Sequence, residues 1–256
     1  MTIFDSIILG IVEGITEFLP ISSTGHLILS ADLLRLGQSG FLKSFEISIQ
    51  LGAILSVAVL YWRRFLLDWE SLKRVGIAFV PTGVVGFFLY KTVKVYLGSN
   101  EIVLWSMLLG GILLIAFELF HRESPRAAQD IDQISYKQAV AIGFFQCIAM
   151  IPGVSRSAAT ILGGLLVGIS RKVIVEFSFL LAVVTMAAAT GYDLLKSADA
   201  FSTDQFGVLA AGFVTSFLVA MVSIKWLLKY IKLHSFIPFG IYRVLAAVVF
   251  WFFLIR

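Results

Sequence analysis

The chain has 256 residues and a formal net charge of +4, with 59% hydrophobic and only 14% charged residues. A soluble domain of this size carries about 45–50% apolar and about 25% charged residues, so the composition excludes a water-soluble globular protein and points to one whose surface faces lipid. The basic excess does not point to nucleic acid, because Lys and Arg occupy short gaps between apolar runs and form no sustained cluster.

The first apolar stretch, residues 3–34, is broken in its middle by Leu19-Pro20-Ile21-Ser22-Ser23-Thr24-Gly25-His26. It does not resemble a cleavable signal peptide, since Glu13 and Glu17 interrupt the run before Pro20. Three uninterrupted stretches follow at roughly 43–62, 75–97 and 102–120, each close to the ~20 residues that a helix needs to cross the hydrocarbon core. A second broken stretch, 136–170, is cut by Ile151-Pro152-Gly153-Val154-Ser155-Arg156-Ser157. Cys147 lies within it as a lone cysteine and reads as a small apolar helix residue. Three more spans are predicted at roughly 173–195, 206–228 and 236–255. Each half of a broken stretch is too short to span, so both predict helical hairpins that enter the bilayer and turn back. Non-helical backbone at that depth requires burial in protein or a watery cavity.

The polar gaps predict the orientation. One set holds Arg63, Arg64, Lys73, Arg74, Arg122, Arg126, Lys137, Arg171, Lys172, Lys225, Lys229 and Lys232; the other holds Arg35, Lys43, Lys91, Lys94, Lys196 and Arg256. The richer set is expected in the cytoplasm, which puts both termini outside.

The two broken stretches also resemble each other: Ile8-Leu9-Gly10-Ile11-Val12-Glu13 aligns with Ala141-Ile142-Gly143-Phe144-Phe145-Gln146, and Phe45-Glu46-Ile47-Ser48 with Val175-Glu176-Phe177-Ser178. The expected fold is an all-α polytopic membrane protein, one integral-membrane domain over residues 1–256. It consists of two inverted-topology repeats, about 1–121 and 136–256, joined by a cytoplasmic loop at 122–135. Each repeat is a re-entrant helical hairpin plus three transmembrane helices, six spans in total. An odd number of spans per half inverts the halves, so the two hairpin tips can meet near the midplane, as in many secondary transporters.

Ionisable groups in lipid are functional candidates by default. Glu13 and Glu17 share one helix face a turn apart. Two carboxylates that close need a proton, a divalent ion or an arginine between them. Ser22, Ser23 and Thr24 can cap the next helix or bind a ligand, and His26 can shuttle a proton. Ser23 with His26 and a carboxylate supplies the parts of an activated nucleophile. At the second tip, a helix starts with free N–H groups after Pro152-Gly153, flanked by Ser155, Arg156, Ser157 and Thr160. That combination suits a diphosphate, the alternative being that Arg156 neutralises Glu13 or Glu17. Glu46, Glu176 and Gln50 are expected to brace helices as readily as to act in chemistry. Arg243 is expected either to brace a carboxylate or to reach a second phosphate.

At these positions the chain resembles the undecaprenyl pyrophosphate phosphatase family, also known for bacitracin resistance. Glu13-Gly14-Ile15-Thr16-Glu17-Phe18-Leu19-Pro20-Ile21-Ser22-Ser23-Thr24-Gly25-His26 is similar to the family's acidic motif, and Pro152-Gly153-Val154-Ser155-Arg156-Ser157-Ala158-Ala159-Thr160 to its second motif. The resemblance implies hydrolysis of undecaprenyl diphosphate to the monophosphate and inorganic phosphate in the bacterial inner membrane, recycling the carrier for peptidoglycan synthesis. It further implies a site open to the periplasm, a divalent cation (Mg²⁺ or Ca²⁺), and functional roles for Glu13, Glu17, Ser23, His26 and Arg156. In the expected scheme Glu13 and Glu17 hold the ion, Ser22, Thr24, Ser155, Arg156, Ser157 and Thr160 bind the diphosphate, and Glu17 or His26 takes the proton of Ser23. Attack by water or by His26 stays open, as does a homodimer. The rival reading is a transporter or flippase for an anionic polyprenyl lipid, against which stands the Ser-x-x-His beside paired carboxylates.

Overall fold

Where lipid replaces water, a spanning backbone must satisfy its own hydrogen bonds, and a helix does so within one segment. The computed structural model describes residues 1–37, 39–96, 99–196 and 205–254, with the side chains of 90–96, 192–196 and 254 outside that description. The predicted outer cations Lys91, Lys94 and Lys196 therefore lie outside it as side chains, and Arg256 altogether. Among the described residues the regular structure is helical: α1 (Ile3–Thr16), α2 (Ser23–Leu33), α3 (Gly40–Leu60), α4 (Trp62–Leu67), α5 (Trp69–Tyr96), α6 (Asn100–Phe120), α7 (Tyr136–Ile148), α8 (Arg156–Leu166), α9 (Arg171–Lys196), α10 (Phe206–Tyr230) and α11 (Ile237–Leu254).

Five helices, α3, α5, α6, α9 and α10, are long and apolar enough to cross a membrane. α11, the predicted sixth span, is apolar but shorter, at 18 residues. Large apolar side chains such as Phe87, Phe88, Leu113, Phe120 and Phe252 are exposed on the outer surface. In water these would be a liability; facing acyl chains they are the expected lining of a multi-pass membrane protein.

The breaks fall where the sequence predicts them. α1 stops at Thr16 and α2 starts at Ser23, while α7 stops at Ile148 and α8 starts at Arg156. Both second helices begin on a serine in the left-handed region, Ser22 at φ 75° and Ser155 at φ 77°. Each serine caps its own helix: Ser22 Oγ accepts from the Gly25 amide at 3.4 Å and Ser155 Oγ from the Ala158 amide at 3.3 Å. Such backbone costs on the order of 1–3 kcal/mol for a non-glycine residue and persists only when its surroundings hold it.

The first hairpin packs through α1 along α10, and the second through α7 along α5. Glycines set both approaches. A Cβ added to Gly10 would sit 2.8 Å from the Gly212 carbonyl oxygen, and one added to Gly143 would collide with the Ala78 carbonyl oxygen and approach Pro81. Behind the tips, Phe18 and Phe179 meet edge to face at 5.3 Å within the main apolar core. This packing fixes both bends against α9 and leaves their polar residues facing one another.

Candidate active site

α1 ends by presenting two carboxylates on the face that meets the second hairpin. Glu17 closes the helix, its amide donating to the Glu13 carbonyl at 2.9 Å. Six residues later, at the start of α2, Ser23 Oγ donates to Glu17 Oε2 at 2.5 Å. The other carboxylate oxygen, Oε1, accepts from Arg156 Nη2 at 3.0 Å, an ion pair linking the two tips. Arg156 Nη1 is anchored on the Ser178 carbonyl at 3.0 Å, while its Nε is buried without a partner. The chain from hydroxyl to carboxylate to guanidinium is thus continuous, with the Arg156 Nε left unpartnered.

Glu13 is completely buried and neither of its carboxylate oxygens has a hydrogen-bond partner. The charged groups around it are Glu17, Glu46 and Arg156. An uncompensated buried carboxylate is costly, so this one marks a place where a proton or a cation belongs. Among the described residues no group of three or more His, Cys, Asp or Glu side chains is arranged to hold a metal ion. Two hard carboxylates nonetheless suit Mg²⁺ or Ca²⁺, of which Mg²⁺ in particular keeps several waters and uses substrate phosphates.

A cavity of about 150 Å³ opens between the tips. Glu17, Ser22, Ser23 and Thr24 line it from the first tip; Pro152, Gly153, Ser155 and Arg156 line it from the second, with Ala149 and Met150; Gln50 on α3 and Met186 on α9 complete the wall. At a water's share of roughly 30 Å³ this is room for about five waters. Gln50 therefore joins the site, whereas Glu46 and Glu176, which the sequence pairs across the halves, are only half-buried and do not line the cavity.

Four predicted diphosphate, metal-holding or catalytic groups are not brought to the cavity wall; the buried Glu13 is one of them. The Ser157 hydroxyl donates to the Leu19 carbonyl at 2.8 Å, locking one tip to the other. Thr160 Oγ1 meets Ser178 Oγ at 2.6 Å and its own helix backbone at Arg156, 3.0 Å. Both hydroxyls are engaged because they sit on the packed face of α8. His26 is buried, with Nδ1 2.7 Å from the Ser22 carbonyl oxygen and Nε2 2.8 Å from the Tyr242 hydroxyl. Tyr242 was not singled out from the sequence; a polar-tipped aromatic beside an intramembrane arginine was the available signal.

Arg243 takes neither role expected of it. It is fully buried and donates to five backbone carbonyls: Pro20 (3.4 Å), Gly153 (3.0 Å), Val154 (2.9 Å), Ser106 (3.0 Å) and Met107 (3.3 Å). All five N–H donors of a guanidinium are directed at the two tips and α6. Gly110 makes this possible, because a side chain there would run into the Arg243 guanidinium. Arg243 is a clamp that holds both bends in one piece.

Residues 6–249 match the family described as bacitracin resistance protein BacA. The chain is 52% identical over 251 residues to an undecaprenyl-diphosphatase of Aquifex aeolicus, covering 98% of each chain. It is 50% identical over 254 residues to an undecaprenyl-diphosphatase of Wolinella succinogenes, covering 99% of each. An undecaprenyl-diphosphatase of Bdellovibrio bacteriovorus is 46% identical over 249 residues, covering 97% of this chain and 95% of that one.

Proposed function

The chain belongs to the bacitracin resistance protein BacA family, and on that premise we propose that it is an undecaprenyl-diphosphatase. It hydrolyses undecaprenyl diphosphate to undecaprenyl phosphate and inorganic phosphate in the bacterial inner membrane, recycling the carrier for peptidoglycan synthesis and conferring bacitracin resistance. The observation that carries the chemistry is the Ser23–Glu17–Arg156 chain across the two tips.

Ser23 Oγ already donates to Glu17, so the carboxylate is positioned to take the proton as Oγ attacks the terminal phosphorus. The bond from that phosphorus to the bridging oxygen breaks, and the electron pair leaves on the lipid monophosphate. Water then cleaves the phosphoserine, releasing inorganic phosphate and restoring the hydroxyl. Arg156 and the amides at the start of α8 neutralise the phosphoryl oxygens. Incoming phosphate competes with Glu17 for the Arg156 guanidinium, which lines the cavity. Glu13, with Glu17, would hold a Mg²⁺ or Ca²⁺ ion, which supplies further charge neutralisation on the phosphoryl group.

The finer architecture belongs to the same reading. The halves are inverted repeats with six spans, α11 being the sixth. The matched serine bends and the exchange of packing between α1–α10 and α7–α5 support it. Twelve basic residues against six in the opposite gaps support a periplasmic opening of the tip cavity.

The test is phosphate release from undecaprenyl diphosphate by purified protein in detergent with Mg²⁺ or Ca²⁺, with and without EDTA, beside Glu17→Gln and Ser23→Ala. Metal-dependent release lost in both variants is expected. Folded wild-type protein that releases none would leave the tips as the binding site of a lipid transporter.

A further inference from the structure

We infer that His26 and Tyr242 form a positioning brace that sets the bend at Ser22 and thereby aims Ser23, rather than an acid–base pair acting on substrate. The inference rests on the phosphatase reading and assigns a role to two contacts, one buried and one partly buried, which that reaction does not use.

The argument starts from the hydrogen-bond inventory. A backbone carbonyl can only accept, so the 2.7 Å contact between His26 Nδ1 and the Ser22 carbonyl requires the proton on Nδ1. In the neutral ring Nε2 is then the acceptor, and the Tyr242 hydroxyl at 2.8 Å is its donor. Both ring nitrogens are thereby engaged, and His26 does not line the cavity that Ser23, Glu17 and Arg156 share.

The residue whose carbonyl is held is one of the two serines with a left-handed backbone, at φ 75°. Ser23, which follows it directly, carries the hydroxyl on Glu17. The neighbouring clamp comes from the same helix: Tyr242 precedes Arg243, which holds Pro20 just before the bend. One turn of α11 thus restrains the tip from both sides, Arg243 directly and Tyr242 through the imidazole. At the other tip the position equivalent to His26 is Ala159, and the residue matching Ser23 is Arg156, which has no hydroxyl to aim.

Stereochemistry supplies a test that an acid–base role would fail. An asparagine amide nitrogen overlays Nδ1 of histidine and can keep the bond to the Ser22 carbonyl, whereas a glutamine amide overlays Nε2 and cannot. The experiment measures kcat, KM and the pH profile of phosphate release for His26→Asn, His26→Gln, Tyr242→Phe and wild type, with folding checked by thermal melting.

For a brace, His26→Asn keeps kcat within about tenfold of wild type with an unchanged pH profile. His26→Gln loses about a hundredfold, the scale of a misplaced reacting group. Tyr242→Phe, lacking one hydrogen bond, lowers kcat about two- to tenfold with KM unchanged. Equal losses in the Asn and Gln variants with a limb of the pH profile gone would overturn the inference, as would a Tyr242→Phe protein with native kcat. A wild-type protein that releases no phosphate would instead overturn the phosphatase reading itself.

Discussion

The two hairpin tips have the same backbone and opposite chemistry. Ser22 and Ser155 bend alike, both hairpins pack through a glycine against a helix of the other half, and both serines cap the helix that follows. In the alignment of the halves, Glu13 corresponds to Gln146, Glu17 to Met150 and Ser23 to Arg156. Gln146 is satisfied, its amide donating to Thr82 Oγ1 at 2.8 Å and Thr185 Oγ1 at 3.1 Å. Glu13, in the matching place, has two orphaned oxygens. The second tip has settled most of its polar groups into structure and contributes one cation; the first leaves the Glu13 carboxylate without a partner. Equal backbone strain with unequal polar satisfaction separates the scaffold from the chemistry.

The sharpest way to break this division is to remove the cation. Arg156→Ala should lower kcat for phosphate release by about a hundred- to a thousandfold, the range for losing one preorganised charge donor. It should also cost on the order of 3–5 kcal/mol of stability, since Glu17 is left buried without its partner. Kinetics and thermal melting measure the two effects separately. Arg156→Lys, which keeps the charge but loses the planar fork, should recover stability better than rate. A lysine variant that recovers rate fully would mean that only charge matters at this position.

The next step is to free both tips at once. Arg243→Met leaves five backbone carbonyls without the guanidinium, and one unsatisfied buried group costs roughly 1–3 kcal/mol. For a chain of this size each kcal/mol corresponds to about 2–4 °C in Tm, so a drop of at least roughly 10 °C is expected, with activity lost in parallel. Gly110→Ala should resemble it, because a methyl there meets the guanidinium. Native-like melting of either variant would show that the bends hold without the clamp.

Making the first tip resemble the second should have a subtler outcome. Glu13→Gln removes an uncompensated buried carboxylate, so stability should be kept or raised slightly while the response to Mg²⁺ or Ca²⁺ weakens. The reverse change, Gln146→Glu, should destabilise by about 1–3 kcal/mol, because Thr82 and Thr185 lose an amide donor. It should bring no new activity. Melting curves with and without the ion measure both. Loss of stability in Glu13→Gln would mean that Glu13 is a structural group as settled as its counterpart.

Much of this was legible in the sequence, and the remainder was hidden for a definable reason. The two breaks could be placed because Pro20 and Pro152-Gly153 interrupt otherwise apolar runs, and the long helices because lipid demands about 20 residues. Glu13, Glu17, Ser23 and Arg156 stood out because charge is rare in such segments. α4 did not, since Trp62–Leu67 carries Arg63 and Arg64 and falls in a polar gap just after the first predicted span. The clamp and the brace were invisible because their partners are distant in sequence: Arg243 reaches back 223 residues to Pro20, and Tyr242 216 residues to His26. Composition reports that a buried arginine needs acceptors, but not that they are carbonyls of two separate tips.

The smallest expected effect tests the finest distinction between the tips. Ser155 and Ser157 stand two residues apart and are both buried, and the sequence offers both as phosphate donors. Ser155 lines the cavity, whereas the Ser157 hydroxyl is tied to the Leu19 carbonyl. Ser157→Ala should therefore cost about 1 kcal/mol of stability, a few degrees in Tm, with KM nearly unchanged. Ser155→Ala removes a cap of comparable worth, and should raise KM as well, because its hydroxyl faces the space a diphosphate occupies. If KM instead rises in Ser157→Ala alone, the tie to Leu19 opens when substrate binds, and the two tips part during the reaction.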